Sequence, residues 1–191
     1  MLLAPLRYWR VRHPLKRRWD IWFPAVGSLL LTGVLCFWPS VPSVLGATGY
    51  VAGLQTMYAI LGGFFIAALT LLATAQTYSL SQPLSGFPAT TYGDETAPLT
   101  RQRFLCLLFG YLAFSVFSLY VIGLATSVLA PGLRSLIEPE YRRLAVGLFL
   151  AVYNFWLCHT AIATMVGLYY FTDRLQRDDP TFGDPHATAA E

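Results

Sequence analysis

From Ile21 to Gly93 the chain contains no Asp, Glu, Lys or Arg, and two further charge-free runs follow, Phe104 to Leu133 and Leu144 to Thr172. Each exceeds the ~20 apolar residues that carry a helix across a bilayer. A soluble domain would interrupt such runs with a charged solvent face. Only 12% of the 191 residues are charged, 55% are apolar and mean hydropathy is +0.52. The sequence therefore predicts an all-α, polytopic membrane protein with four transmembrane helices, at about 21–38, 51–74, 104–130 and 144–171.

Breakers set those limits. Pro24 falls in a first turn, where a missing N–H costs little, and Trp38-Pro39 closes the first segment. Pro39, Ser40, Pro42, Ser43 and Gly46 form the turn into the second segment, so the first two are expected to make a hairpin. Pro131-Gly132 is expected to end the third helix, and Asp173, Arg174 and Arg177 mark the end of the fourth. The 21–171 membrane domain is thus flanked by residues 1–20 and 172–191 and interrupted by a loop at 75–103. None of these polar pieces is large enough to bury a core of its own.

Short-loop Lys and Arg residues set orientation. Arg7, Arg10, Arg12, Lys16, Arg17 and Arg18 precede the first segment, Arg101 and Arg103 precede the third, and Arg174 and Arg177 follow the fourth. Only Arg134, Arg142 and Arg143 fall on the other side, so the expected topology is N-in/C-in. A cleavable signal is not expected, because the first apolar stretch ends in Cys36, Phe37, Trp38 and Pro39 without small residues. Cys36, Cys106 and Cys158 fall in three different segments and read as membrane-buried thiols.

On the second segment Ala52, Thr56, Ala59, Gly63, Ala67, Thr70, Thr74 and Thr77 recur every three or four residues as a stripe of small side chains. Lipid gives little hydrophobic drive for helix association, so membrane helices meet through close packing along such surfaces. The stripe reads either as packing within one bundle or as the lining of an oligomeric pore. Gly123-x-x-x-Ser127, Gly147-x-x-x-Ala151 and Ala163-x-x-x-Gly167 repeat the spacing elsewhere. The fourth segment carries Asn154 and His159 among apolar neighbours. Such groups are candidate sites inside a membrane. Without any charged residue in the crossings, however, a proton relay or voltage sensor lacks its usual companions, and a structural hydrogen-bonding role is expected for His159.

Residues 1–20 mix Arg7, Arg10, Arg12, Lys16, Arg17 and Arg18 with Tyr8, Trp9 and Trp19. They are expected to lie along the cytoplasmic interface in contact with anionic lipid or a partner. Direct nucleic-acid contact is not expected. Asp94, Glu95, Arg101 and Arg103 of the 75–103 loop are the candidate docking residues for a cytosolic protein. Asp178, Asp179, Asp184 and Glu191 make the tail acidic. Neither piece is expected to form regular structure. No phosphate-binding loop, nucleophile elbow or paired-cysteine motif occurs, and His13, His159 and His186 are dispersed. No enzyme activity, cofactor or metal is expected.

In its length, basic start, four crossings and little extramembrane mass, and not in a residue motif such as Arg17-Arg18-Trp19-Asp20-Ile21-Trp22, the layout resembles the small four-helix membrane subunit of the bacterial Kiwa antiphage defence system. The resemblance covers the architecture of the whole chain. It implies a homo-oligomeric, multi-pass inner-membrane subunit working with a cytosolic, nucleic-acid-binding effector. The corresponding expectation is a non-enzymatic sensor or recruiting scaffold, and its rival is an oligomeric channel or pore-forming effector.

Overall fold

In a computed structural model, the described residues are 6, 8, 11–12, 21–37, 44, 49–75, 78–81, 91–92 and 100–171. They form the helices α1 (Phe23–Phe37), α2 (Tyr50–Thr74), α3 (Tyr78–Ser81), α4 (Arg101–Leu136) and α5 (Pro139–Tyr169), and the two-residue strands β1 (Val11–Arg12) and β2 (Thr91–Tyr92). Among the described residues the long elements are all helices. α2, residues 101–132 of α4, and α5 are each long and apolar enough to cross a membrane. α1 is apolar but has only 15 residues. At ~1.5 Å per residue it reaches less far than the ~30 Å hydrocarbon layer.

Contacts fix the direction of each helix. Val51, Gly62, Phe65 and Leu72 of α2 meet Gly123, Val116, Phe109 and Gln102 of α4 in falling order, so the two run antiparallel. Phe104 meets Tyr170, Gly167 meets Leu108, and the Tyr153 hydroxyl donates to the Leu119 carbonyl at 3.3 Å, making α5 antiparallel to α4. α1 is antiparallel to α5: Gly27 lies against Cys158, Ser28 Oγ donates to the Ala151 carbonyl at 2.7 Å, and Gly147 faces Cys36. The lateral order is therefore α2, α4, α5, α1. The expected hairpin of the first two segments is corrected to this extent: α1 packs mainly on α5. Its small Gly27 and Ser28 let the two backbones approach closely.

The core is a ladder of large side chains. Val51, Tyr58, Phe65 and Leu72 recur every seven residues on α2 and meet Leu105, Leu108, Leu112, Val116 and Leu119 of α4 in one buried cluster. Outside it, Leu29, Leu30 and Phe37 of α1, Ile60 and Leu71 of α2, Val128 of α4 and Leu148 and Met165 of α5 are exposed. So much exposed apolar surface around a bundle suits a lipid environment.

The third helix does not stop at Pro131-Gly132 but continues to Leu136. Pro131 removes only the N–H that would bond the Ser127 carbonyl, one loss close to the end of the helix, and exposed positions such as Pro131 and Gly132 leave room for it. Here Ser127 Oγ donates to the Gly123 carbonyl at 2.9 Å and Ser135 Oγ to the Gly132 carbonyl at 2.7 Å. α5 likewise begins earlier than expected. Pro139 occupies its first turn with Glu140 beside it, and Arg142 Nε holds the Ile137 carbonyl at 2.9 Å across the tight α4–α5 turn.

At the other end, Gln102 Nε2 donates to the Leu72 and Ala75 carbonyls at 2.9 and 3.0 Å, closing the last turn of α2. Thr100 caps α4 through its side chain, accepting the Arg103 N–H at 3.3 Å. The expectation of no regular structure in the 75–103 loop is corrected by α3 and by β2. Val11 and Arg12 pair antiparallel with Tyr92 and Thr91, so the loop and the amino-terminal segment satisfy each other's backbone groups.

Candidate functional site

Two features stand apart from ordinary apolar packing: a polar cluster inside the bundle and the bare face of α2. The cluster is assembled from all four long helices. Asn154, 0% exposed, lies in the middle of α5. It accepts the Tyr50 hydroxyl on Oδ1 at 2.9 Å and donates from Nδ2 to Thr32 Oγ1 at 3.1 Å. One amide thereby ties α5 to α2 and α1.

Beside it, Gly123 of α4 faces two polar groups. A Cβ built there would stand 3.0 Å from Gln55 Nε2, 3.0 Å from the Tyr153 hydroxyl and 3.1 Å from Val51 Cγ1. Only the absence of a side chain lets the α2 amide and the α5 phenol reach the α4 backbone. Tyr58, 1% exposed, meets Tyr153 edge-on with ring centroids 6.4 Å apart. Its hydroxyl approaches Tyr153 without completing a hydrogen bond. Gln55 Nε2 and Ser115 Oγ are also buried without a hydrogen-bond partner.

His159 is buried, and its ring meets Tyr111 edge-on at 5.6 Å. Tyr111 also stacks on Tyr8, with ring centroids 5.1 Å apart and planes at 20°. Tyr8 is 3% exposed and Leu6 packs partly against the same core. At these two residues the amino-terminal segment enters the bundle, a departure from the expected position along the interface. The cause is the stacking surface that Tyr111 offers.

The small-residue face of α2 points the other way. Thr56, Ala59, Gly63, Ala67, Thr70 and Thr74 are exposed and Ala52 is half-buried; Thr77 lies outside the described residues. At ~100° per residue this stripe falls roughly opposite the Val51, Tyr58, Phe65, Leu72 ridge. No atom stands within 4 Å of a Cβ built at Gly63. The stripe therefore makes none of the main packing within this chain. Thr70 Oγ1 donates to the Ile66 carbonyl and Thr74 Oγ1 to the Thr70 carbonyl, both at 2.9 Å, so both hydroxyl protons are satisfied by the helix itself.

Of the expected lipid- or partner-contacting residues, Arg7, Arg10, Lys16, Arg17 and Arg18 lie outside the described residues, and Arg12 is described only as backbone of β1. Asp94 and Glu95 also lie outside them. Arg103 is exposed at the start of α4, but Arg101 is buried at 4% exposure. Arg101 is thus corrected from a displayed docking residue to part of the packed first turn of α4.

Sequence reasoning did not single out Thr32, Tyr50, Gln55, Tyr58, Ser115 or Tyr153, and read Gly123 only as part of a small-residue spacing. The available signal was that Gln55 is, with Asn154, an amide in a segment otherwise free of strongly polar side chains. Compared with known proteins, the chain matches no protein family, and no characterised protein or solved structure is significantly similar to it.

Proposed function

We propose that the chain is a non-enzymatic subunit of a bacterial inner membrane that crosses four times with both ends in the cytoplasm, assembles with copies of itself, and senses a membrane event or recruits a cytosolic effector. The observation that carries this reading is the outward direction of the α2 small-residue face, open at Gly63 and flanked by exposed Ile60 and Phe64. A stripe suited to close helix packing and unused within the chain is suited to a second copy. The α1 contribution to the four crossings rests on its lipid-compatible exposed face and on Ile21 and Trp22, which precede it.

Orientation rests on charge. The starts of α1 and α4 and the end of α2 share one side of the bundle, and that side is assigned to the cytoplasm because Arg7, Arg10, Arg12, Lys16, Arg17 and Arg18 precede α1 in sequence and Arg101 and Arg103 open α4. A cytosolic effector would meet the protein there, as the resemblance to the Kiwa membrane subunit implies. The internal hydrogen bonds of Thr70 and Thr74 favour helix packing along the stripe over a wet lining, because hydroxyl protons turned onto the backbone suit apolar surroundings.

Extraction in a mild detergent, followed by native mass spectrometry and copurification from the source cell, tests the proposal. The expected result is a defined homo-oligomer carrying a cytosolic companion. A lone monomer with no companion overturns it. Leakage of dye-loaded liposomes by the assembled protein would move the assignment to a pore.

A further inference from the structure

We infer that the stack of Tyr8 on Tyr111 is a latch opened by an anionic lipid surface: the amino-terminal segment stays in the bundle beside neutral lipid and moves onto the headgroups where they are anionic. The latch rests on the reading above, which puts this segment at the cytoplasmic membrane surface, and it gives the sensing of a membrane event a molecular form.

The seat lies in the core of the bundle. Tyr8 is 3% exposed and Tyr111 2%, their ring centroids are 5.1 Å apart, and Tyr111 also meets the buried His159 edge-on. Tyr111 stands ten residues after Arg101 on α4, about 15 Å along the helix axis. The ring is therefore held well inside the level of Arg101 and Arg103, whose charges mark the cytoplasmic surface. Val11 and Arg12 fasten the same segment a second time by pairing with Tyr92 and Thr91.

The residues around this anchor pull the other way. Arg7, Arg10, Arg12, Lys16, Arg17 and Arg18, interleaved with Trp9 and Trp19, have the composition that anionic headgroups attract. Arg7 and Arg10 are one and two residues from Tyr8, so at ~3.8 Å per residue a stacked ring keeps their backbone near the depth of the seat. They spread over the headgroups only when the ring leaves, and the two positions compete. Each cation beside an anionic surface favours that position by about fivefold. The stack opposes it by about two- to tenfold, and burial of a large side chain by up to about a hundredfold. About three or four engaged cations thus match one buried, stacked ring, and lipid charge decides between them. Release uncovers Tyr111 and unpairs Thr91 and Tyr92, in the loop on the side where a cytosolic effector would dock.

A ring-fluorinated tyrosine at position 8 of the full chain tests the latch by fluorine NMR, in nanodiscs of phosphatidylcholine alone and of phosphatidylcholine mixed with phosphatidylglycerol. In neutral lipid the ring is expected to give a line that a neutral, water-soluble gadolinium chelate leaves sharp. Anionic lipid is expected to raise the chelate-broadened, released population at least about tenfold, and high salt to reverse the rise. Arg7→Gln, Arg10→Gln and Arg12→Gln together are expected to leave the neutral-lipid spectrum unchanged and to lose most of the rise. A seated fraction equal in the two lipids overturns the proposal. So does a release over anionic lipid that the triple variant shows in full, since charge on the segment would then not be its cause. The readout is the position of Tyr8 alone, so its failure leaves the oligomer and companion tests above untouched, and theirs leaves the latch.

Discussion

Tyr50 donates its hydroxyl to Asn154 Oδ1 at 2.9 Å, joining the first residue of α2 to the middle of α5. The bond makes α2 a neighbour of α5 at this end although its main packing is on α4. Interhelical hydrogen bonds in membranes are worth about 0.6 kcal/mol on average and up to about 1.7 kcal/mol. Asn154 makes two, so Asn154→Leu is expected to destabilise the bundle by about 1–2 kcal/mol in reversible unfolding from mixed micelles. Tyr50→Phe in that background should add almost nothing, because its partner is already gone. Fully additive losses would show that the two residues are uncoupled.

Gly123→Ala is expected to cost about 1–3 kcal/mol, the usual range for overpacking a well-filled interior. The new methyl would press on Gln55, Tyr153 and Val51 at once. Gly132 has open space around it, and Gly132→Ala on the same helix should be neutral or slightly stabilising. Equal effects of the two changes in the same unfolding assay would refute the close approach at Gly123.

At Gly63 the expected outcome is different, since a side chain there meets nothing in its own chain. Gly63→Leu should insert and fold normally, yet lose the oligomer on a sizing column in detergent. If native size persists, the α2 face is not the assembly surface.

Tyr8→Ala removes a stacked pair worth about 0.5–1.5 kcal/mol beyond burial, which corresponds to up to about tenfold more frequent release of the segment. Limited proteolysis of inside-out vesicles should then cut the amino-terminal segment correspondingly faster, with Tyr8→Phe near wild type. A cleavage rate unchanged in Tyr8→Ala would mean that the stack does not hold the segment.

For orientation, single cysteines are placed in a background lacking Cys36, Cys106 and Cys158. Ser43→Cys and Arg134→Cys should react with an impermeant maleimide in intact cells, and Ser81→Cys should react only after permeabilisation. The reverse pattern would invert the protein in the membrane.

The membrane character of α2, α4 and α5 is legible in the sequence because a helix that carries no charge over a full crossing has no face to offer water. Helix ends are less so. Pro131 reads as a stop, yet the helix continues to Leu136, because a proline costs a helix only the one hydrogen bond to the residue four before it. The stripe through Gly63 is visible in the sequence, but its direction is not. That direction follows from the bulky Val51, Tyr58, Phe65 and Leu72, whose seven-residue repeat claims the inner face. Asn154 and His159 stand out as polar residues in apolar surroundings. Their companions Tyr50, Gln55, Gly123 and Tyr153 are scattered over three helices, and only the packing brings them together. Tyr8 reads as an interfacial aromatic because a basic neighbourhood and a ring are also what a headgroup layer attracts.

The pairing of Val11 and Arg12 with Tyr92 and Thr91, together with the stack of Tyr8 on Tyr111, has a consequence for biosynthesis. Val11 and Arg12 are translated some eighty residues before the strand they pair with, and Tyr8 about a hundred residues before Tyr111, so each leaves the ribosome before its partner exists. Their places in the structure can therefore be taken only late, once residues 91–92 and then α4 have been made, and the ordering of Tyr8 becomes a readout of completed synthesis.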